Sequence, residues 1–346
     1  MGWLLHVGAS ILLPLAFGLL FAIFLYPVDR RIFRRVRIRS LSIALTFLTL
    51  LLPLAIVVGL FSFQLMRIMD SLPSIGDNVL AGVQKAVKQV NKLIPQGQLD
   101  VDSFDMEQLS SILSGPASLL RDGLVSSTSL LVGVAITFIY SFLILYYRKS
   151  FKNFVIFQFE KENRSDIRET LREIKNTVQA YVGGLGLVVI ILSVLNSLGL
   201  WAIGIQYPIF WGALAGLLAV IPYAGTLLGG LLPFLYALAT ADHSWQPVAV
   251  VVYYLVIQQI EGNLITPKIV GSKVDINPLV AIFSLLFFGS FWGVGGVILA
   301  LPLISIVRII LSHFASTESL ALLMSSDVAE DAGVFQQIAK KRALSN

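Results

Sequence analysis

Apolar residues along this chain fall into unbroken runs of membrane length, and the polar residues crowd between them. Residues 3–26, 41–66, 124–147, 178–201 and 245–260 form five such runs. About 20 apolar residues in a helix cross the core of a bilayer, so these runs predict five crossings. Two further stretches, 207–240 and 278–307, are equally apolar but broken in the middle. IPYAG (Ile221 to Gly225) interrupts the first, and Gly293, Gly295 and Gly296 interrupt the second. Each half of the first stretch is about 15 residues, or about 22 Å of helix, which falls short of a core roughly 30 Å thick. Pro222 blocks helix propagation and Gly225 permits a turn. Two readings follow, a re-entrant helical hairpin or a pair of short, kinked spanning helices. Irregular backbone at that depth must be covered by protein or line a cavity.

The distribution of charge sharpens this picture. Residues 176–241 and 276–307 contain no Asp, Glu, Lys or Arg, and the whole chain is 56% hydrophobic and 13% charged. Ordinary globular domains carry about 25% charged residues. A soluble protein could not build a surface from this composition, whereas a bilayer demands it, because a charge near the membrane centre costs several kcal/mol. The expected fold class is therefore all-α, a polytopic helical membrane protein. Continuous runs, not alternation, argue against a transmembrane barrel.

A net charge of +5 raises the question of a nucleic-acid partner. The basic residues sit beside apolar runs, however, as membrane orientation requires, so no nucleic-acid partner is expected. Six Arg between positions 29 and 39 place that loop in the cytoplasm. With no Cys in the chain, there are no disulfides or thiolate metal sites. The N-terminal run lacks a basic leader and a small-residue cleavage site, so it reads as a retained membrane segment.

Four regions follow from these runs. Residues 1–66 form an N-terminal transmembrane pair around the basic loop 29–39. Residues 67–123 hold seven acidic and five basic residues. Val79, Val83, Val87 and Val90 recur there at helical spacing, which predicts an extracytoplasmic helical arm. Residues 124–311 form a core that includes a predicted cytoplasmic surface helix at 148–175, where opposite charges recur at helical spacing in RSDIRETLREIK. Residues 312–346 form a cytoplasmic tail ending in a basic cluster, Lys340 to Arg342.

Enzyme signatures are missing. The three His are far apart, and there is no HExxH, no GxSxG and no P-loop. No catalytic residue, metal set or cofactor is expected. Gly183, Gly184 and Gly186 suit close helix packing better than nucleotide binding.

The chemistry concentrates in one polar run, QQIEGNLITPKIVGSKVDINP. Its Glu261, Lys268, Lys273 and Asp275 are the only charged residues between Asp242 and Arg308. Gln258, Gln259 and Asn263 supply amides suited to a polar solute. Glu261 either carries a proton or cation, or it caps a helix or pairs with Lys268. Pro267 and Gly271 set a non-helical path, and Pro278 starts the next helix, where its missing N–H costs little. Asn196, within a charge-free run, either faces a cavity or makes an interhelical hydrogen bond.

The runs IPYAGTLLGGLLPFLYAL and QQIEGNLITPKIVGSKVDINPLVAIFSLLFFGSFWGVGGVILALPL resemble the autoinducer-2 exporter family of bacterial membrane transporters. The early ILLPLAFGLLFAIFLYPVDRRI looks like the first conserved block of that family. The spaced set Pro222, Gly225, Gln258, Glu261, Pro267, Gly271, Pro278, Gly289 and Pro302 carries the likeness. The resemblance implies a multi-pass secondary transporter of the inner membrane, a homo-oligomer that moves a small polar solute such as the quorum-sensing signal autoinducer-2. Alternating access would operate around the IPYAG tip, the Gly293–Gly296 break and the Gln258–Asn263 run. Other members are linked to sodium or lithium/proton exchange, which would couple transport to protons or sodium through Glu261, with Asp275 in support. A scaffold or sensor, working through the 67–123 arm, is a third reading.

Overall fold

A computed structural model describes residues 8–93, 127–222, 224–270, 275–314 and 316–326, with side chains described outside 69–93, 127–130 and Ala224. Every regular element among these residues is a helix, as the apolar runs predict. In chain order these are α1 (Ala9–Val36), α2 (Arg39–Leu93), α3 (Ser127–Phe157), α4 (Arg164–Ile203), α5 (Pro208–Leu218), α6 (Ala224–Thr240), α7 (Trp245–Ile260), α8 (Thr266–Ile269), α9 (Pro278–Ser312) and α10 (Glu318–Met324). Six spans among the described residues are long and apolar enough to cross a membrane, and α5 and α6 are shorter apolar helices. Leu52, Ile56 and Leu60 lie on successive turns of α2 and are each more than half exposed. In a bilayer such a stripe meets acyl chains instead of water.

Two segments differ from expectation. The 55 residues of α2 make a rod about 82 Å long. The start of the 67–123 region is therefore the same helix continuing past the membrane, because propagation adds residues to an existing helix more easily than a new one nucleates. The remainder of that arm, 94–123, lies outside the described residues, as do Gly271 and the tail from 327. The 148–175 segment is not a separate surface helix. Instead α3 runs on to Phe157, α4 begins at Arg164, and a short turn joins them. The charged pattern belongs to the ends of two long helices that extend beyond the hydrocarbon.

The chain divides into two compact units. The first comprises Met1–Thr49, Gly133–Leu187 and Thr266–Asn346, and the second comprises Leu50–Val132 and Val188–Ile265. The chain passes between them four times, within α2, α3 and α4 and just before α8.

In the first unit, Leu20, Val178 and Leu299 form a buried core, with Phe17, Ile174 and Trp292 packed against it. A Cβ added at Gly18 would lie 2.7 Å from the Tyr140 Cβ, so α1 and α3 meet where one side chain is missing. Beside that contact the Ser141 hydroxyl donates to the Gly18 carbonyl at 2.9 Å. Gln179 Nε2 donates to the Ile23 carbonyl at 2.7 Å. Asp29 is fully buried. Its carboxylate accepts from Arg39 at 2.9 Å, from Arg148, and from the Ser42 hydroxyl at 2.9 Å. A buried carboxylate is tolerable only with this degree of pairing.

In the second unit, Ile68, Leu200, Phe210, Trp211, Tyr236 and Val250 belong to one buried cluster. Aromatic rings run through it: Phe61 to Phe210 at 4.9 Å, Phe210 to Trp211 at 5.0 Å and Trp211 to Tyr236 at 5.1 Å between centroids.

Candidate functional site

The first interrupted stretch forms a hairpin of α5 and α6 in the second unit. Pro208 opens α5 behind Tyr207, which holds a left-handed φ of 53°. Gly212 and Gly216 lie one turn apart on α5. A Cβ at Gly212 would fall 2.3 Å from the Ser197 nitrogen, and one at Gly216 would fall 2.2 Å from the Ser193 hydroxyl. Two small residues on each helix thus let α5 lie directly on α4. The chain then turns after α5, with the Ile221 amide bonded to the Leu218 carbonyl at 2.9 Å and the Gly225 amide to the Ile221 carbonyl at 2.9 Å. A Cβ at Gly225 would sit 1.7 Å from the Leu218 carbonyl oxygen, so glycine is required for the chain to return there. Pro222 lies in the turn, half-buried. The two arms are 11 and 17 residues long, about 16 and 25 Å, each shorter than the hydrocarbon core.

Around this hairpin the second unit buries polar atoms without partners. Asn196 on α4 is 3% exposed. Its Oδ1 has no hydrogen-bond partner among the described residues, and neither do Tyr254 OH, Trp211 Nε1 and Gln64 Oε1. Asn196 Oδ1 thus forms no interhelical hydrogen bond among the described residues. The neighbouring contacts are tight. Tyr253 OH donates to the Leu195 carbonyl at 2.6 Å, and a Cβ at Gly230 would lie 3.2 Å from the Tyr254 ring. Unpaired polar atoms are costly where no water competes, of order 1–3 kcal/mol each by mutation.

The polar run continues α7 as a π-helical turn, Glu261–Ile265, before α8. Pro267 follows it. A proline ring crowds the carbonyl four residues back and offers no donor, and a wider turn relieves both problems. Asn263 Nδ2 donates to the Gln259 carbonyl at 2.9 Å and to Gln259 Oε1 at 3.0 Å. Gln258, Gln259, Asn263, Pro267 and Lys268 are exposed, whereas Glu261 is half-buried. Glu261 makes no ion pair among the described residues, so the pairing with Lys268 is not formed. Single π turns recur at functional positions.

The second interrupted stretch lies in the first unit. α9 breaks at Gly293, whose φ of 58° and ψ of −142° are not helical. A Cβ at Gly296 would fall 2.0 Å from the Phe288 carbonyl, and one at Gly289 would fall 2.9 Å from Val297. Eight residues along a straight helix are about 12 Å apart, so the chain doubles back here too. Asn277 caps the start by accepting from the Val280 amide at 2.9 Å, with Pro278 in the first turn. Asn277 also holds α10, donating from Nδ2 to the Leu323 carbonyl at 2.6 Å. Asp275 pairs with Arg308 at 2.8 Å and accepts from the Ser326 amide at 3.0 Å and from its hydroxyl. Partial burial alone would push the Asp275 carboxyl up. The Ser326 hydroxyl and amide, and then Arg308, outweigh that effect and hold it below the usual aspartate range. Asp275 is thus committed to this clasp.

The expected solute residues Asn196, Pro222, Gly225, Gln258, Gln259, Glu261 and Asn263 all fall in the second unit. Pro267, Pro278, Gly289, Gly293 and Gly296 fall in the first. Gln259 and Asn263 are joined directly. Among the described residues no hydrogen bond links the π turn to Asn196 or to Pro222. Sequence reasoning passed over Tyr254, Trp211, Gln64 and Asp29. The first three carry a polar atom inside an apolar run, and that signal was available.

Six apolar spans, with the family match that follows, make this a multi-pass transporter of the bacterial inner membrane. The chain belongs to the AI-2E family of transporters, whose family model matches residues 1–316. It is 24% identical to the protein YhhT of Escherichia coli (strain K12) over 324 residues, 92% of this chain and 89% of that protein. It is 33% identical to YrrI of Bacillus subtilis (strain 168) over 144 residues, 42% of this chain and 40% of that protein. It is 32% identical over 138 residues to the AI-2 transport protein TqsA of Escherichia coli (strain K12), 39% of this chain and 40% of that protein. A member of this transporter family is not an enzyme.

Proposed function

We propose that this chain moves a small, uncharged, hydroxyl-rich solute across the inner membrane, and that autoinducer-2 is its substrate. The observation that carries the reading is the set of buried, unpartnered polar atoms in the second unit, led by Asn196 Oδ1 beside the Gly212 and Gly216 contact. Two amide oxygens that accept, an indole N–H that donates and a phenol that can do either, all without charge, suit hydroxyl and carbonyl groups better than an ion. The name of the relative TqsA supports the choice of solute. Alternating access would come from movement of the α5–α6 hairpin about Pro222 and Gly225, opening the Asn196 region to one side and then the other. The homo-oligomer implied by the resemblance belongs to the same proposal, and its mass in nanodiscs tests it.

The experiment is uptake of labelled autoinducer-2 into proteoliposomes. Wild type should load the vesicles, and Asn196→Leu should slow loading about tenfold, the loss of one good hydrogen bond to solute. Unchanged flux in Asn196→Leu would refute the site.

Glu261 favours a second reading, cation/proton exchange. It is the one acidic residue in the α7 span, it is half-buried, and it has no ion-pair partner among the described residues. Proton flux driven by a sodium or lithium gradient and abolished by Glu261→Gln would establish exchange. Flux that survives this substitution would end that reading.

A further inference from the structure

A cavity of about 1120 Å³ opens in the first unit between α1, α3 and α4. Its chemistry changes along its length. On α1 the lining residues Leu19, Ile23, Tyr26 and Arg30 follow one another down a single face, from apolar through aromatic to cationic. On α3 Ile144, Arg148 and Lys152 do the same. α4 adds Arg168, Arg172 and Lys175 to the cationic side. Arg148 is already paired with Asp29. Arg30, Lys149, Lys152, Arg168, Arg172 and Lys175 take part in no ion pair among the described residues, and Glu169 is the only carboxylate in the lining. Positive-inside asymmetry assigns the basic end to the cytoplasm. That rule needs basic loops. It does not need six cations converging on one hollow with an aliphatic wall.

We propose that this cavity binds an anionic phospholipid of the cytoplasmic leaflet. The phosphate would lie among the Lys152, Arg168 and Arg172 group, and an acyl chain along Leu19, Ile23, Ile144 and Ile306. Two features favour a lipid over a soluble phosphate compound. The apolar wall is continuous with the cationic end along α1 and α3, and the volume exceeds the 300–1,000 Å³ typical of a small-ligand pocket. Basic pockets of this kind between transmembrane helices recognise anionic headgroups. The site is separate from Asn196 and Glu261 and does not depend on how the transport question is resolved.

Native mass spectrometry of the full chain in detergent, titrated with phosphatidylglycerol, phosphatidylcholine or glycerol 3-phosphate, tests the proposal. Phosphatidylglycerol should bind in preference to phosphatidylcholine. The double variant K152Q/R172Q should bind it about 30-fold more weakly, at about 1 kcal/mol per cation near an anionic surface. Glu169→Gln removes the opposing charge and should tighten binding about fivefold on the same scale. A folding defect cannot produce both changes, so the opposite signs keep the test sound if the double variant is damaged. Equal binding of phosphatidylglycerol by wild type and by both variants would overturn the site. Glycerol 3-phosphate binding as tightly as the lipid would overturn the lipid in favour of a soluble anion.

Discussion

The two units handle buried polarity in opposite ways. In the first, the fully buried Asp29 is satisfied by two arginines and a serine, and Gln179 and Ser141 reach backbone carbonyls on α1. Its unpaired buried side-chain atom among the described residues is Arg308 Nε, on a guanidinium whose Nη1 already meets Asp275. In the second, Asn196, Tyr254, Trp211 and Gln64 each bury a polar atom that has no hydrogen-bond partner among the described residues. Both units contain a hairpin closed by glycine against a carbonyl, so the same backbone device serves both. The lesson is that hairpins do not mark the site in this family member. The proposed site rests instead on the state of the polar atoms packed near one of them. Paired polarity holds a helix in place, and unpaired polarity is chemistry kept for something else.

Asp29→Asn strikes the paired side hardest. It strips the charge that Arg39 and Arg148 share and should cost about 3–5 kcal/mol, the effect of breaking a buried pair from one end. A large fall in melting temperature in detergent, or loss of membrane yield, would show it. A melting temperature within a degree or two of wild type would mean that the pairing is not what holds this unit together.

Gly225→Ala should rank next. Its Cβ would meet the Leu218 carbonyl oxygen at 1.7 Å, and forced overpacking costs about 1–3 kcal/mol. Gly262→Ala, which meets open space, is the control and should melt like wild type.

Asp275→Asn weakens the exposed clasp on α10 and should cost at most about 1 kcal/mol, as for other surface pairs. The sign of its pH dependence is set. The folded carboxyl is held low, so its contribution is complete above the usual aspartate range and is lost as pH falls through and below that range. The melting-temperature gap between wild type and variant should therefore close in acid. A gap that widened would contradict the assigned direction.

Asn196→Leu should change stability least, within about 1 kcal/mol of wild type or slightly above it. An unpaired polar atom gives little back to the fold, and an apolar replacement removes its desolvation penalty. A strong destabilisation would erase the contrast between the units, because it would mean Asn196 is a structural group.

Much of this architecture was readable before any coordinates. Runs of membrane length reported the spans because the bilayer imposes one dimension on all of them. Pro222, Gly225, Gly293 and Gly296 pointed to the two turns because a proline, a positive φ at Gly293 and the close backbone approaches at Gly225 and Gly296 are local demands. What could not be read depends on partners far apart in the chain. Asp29 looked like one more residue in a basic loop, and its partner Arg148 lies 119 positions away. The surface helix expected at 148–175 failed for a related reason. Charge periodicity shows that residues are helical and wet, but not whether they form their own helix or the projecting ends of two others. The π turn at Glu261 was hinted at by Pro267, although proline alone does not distinguish a wide turn from a break.

The four places where the chain passes from one unit to the other have a mechanical meaning. The first passage, Thr49 to Leu50, lies just before Pro53, which leaves the Thr49 carbonyl without its helical donor. The second falls at Gly133, the third beside Gly186, and the fourth between the π turn and Pro267. Proline, glycine and π turns are where helices bend most easily. A machinist would recognise the pattern of a flexure, a beam thinned at chosen sections, and would look for bending at these four sections first.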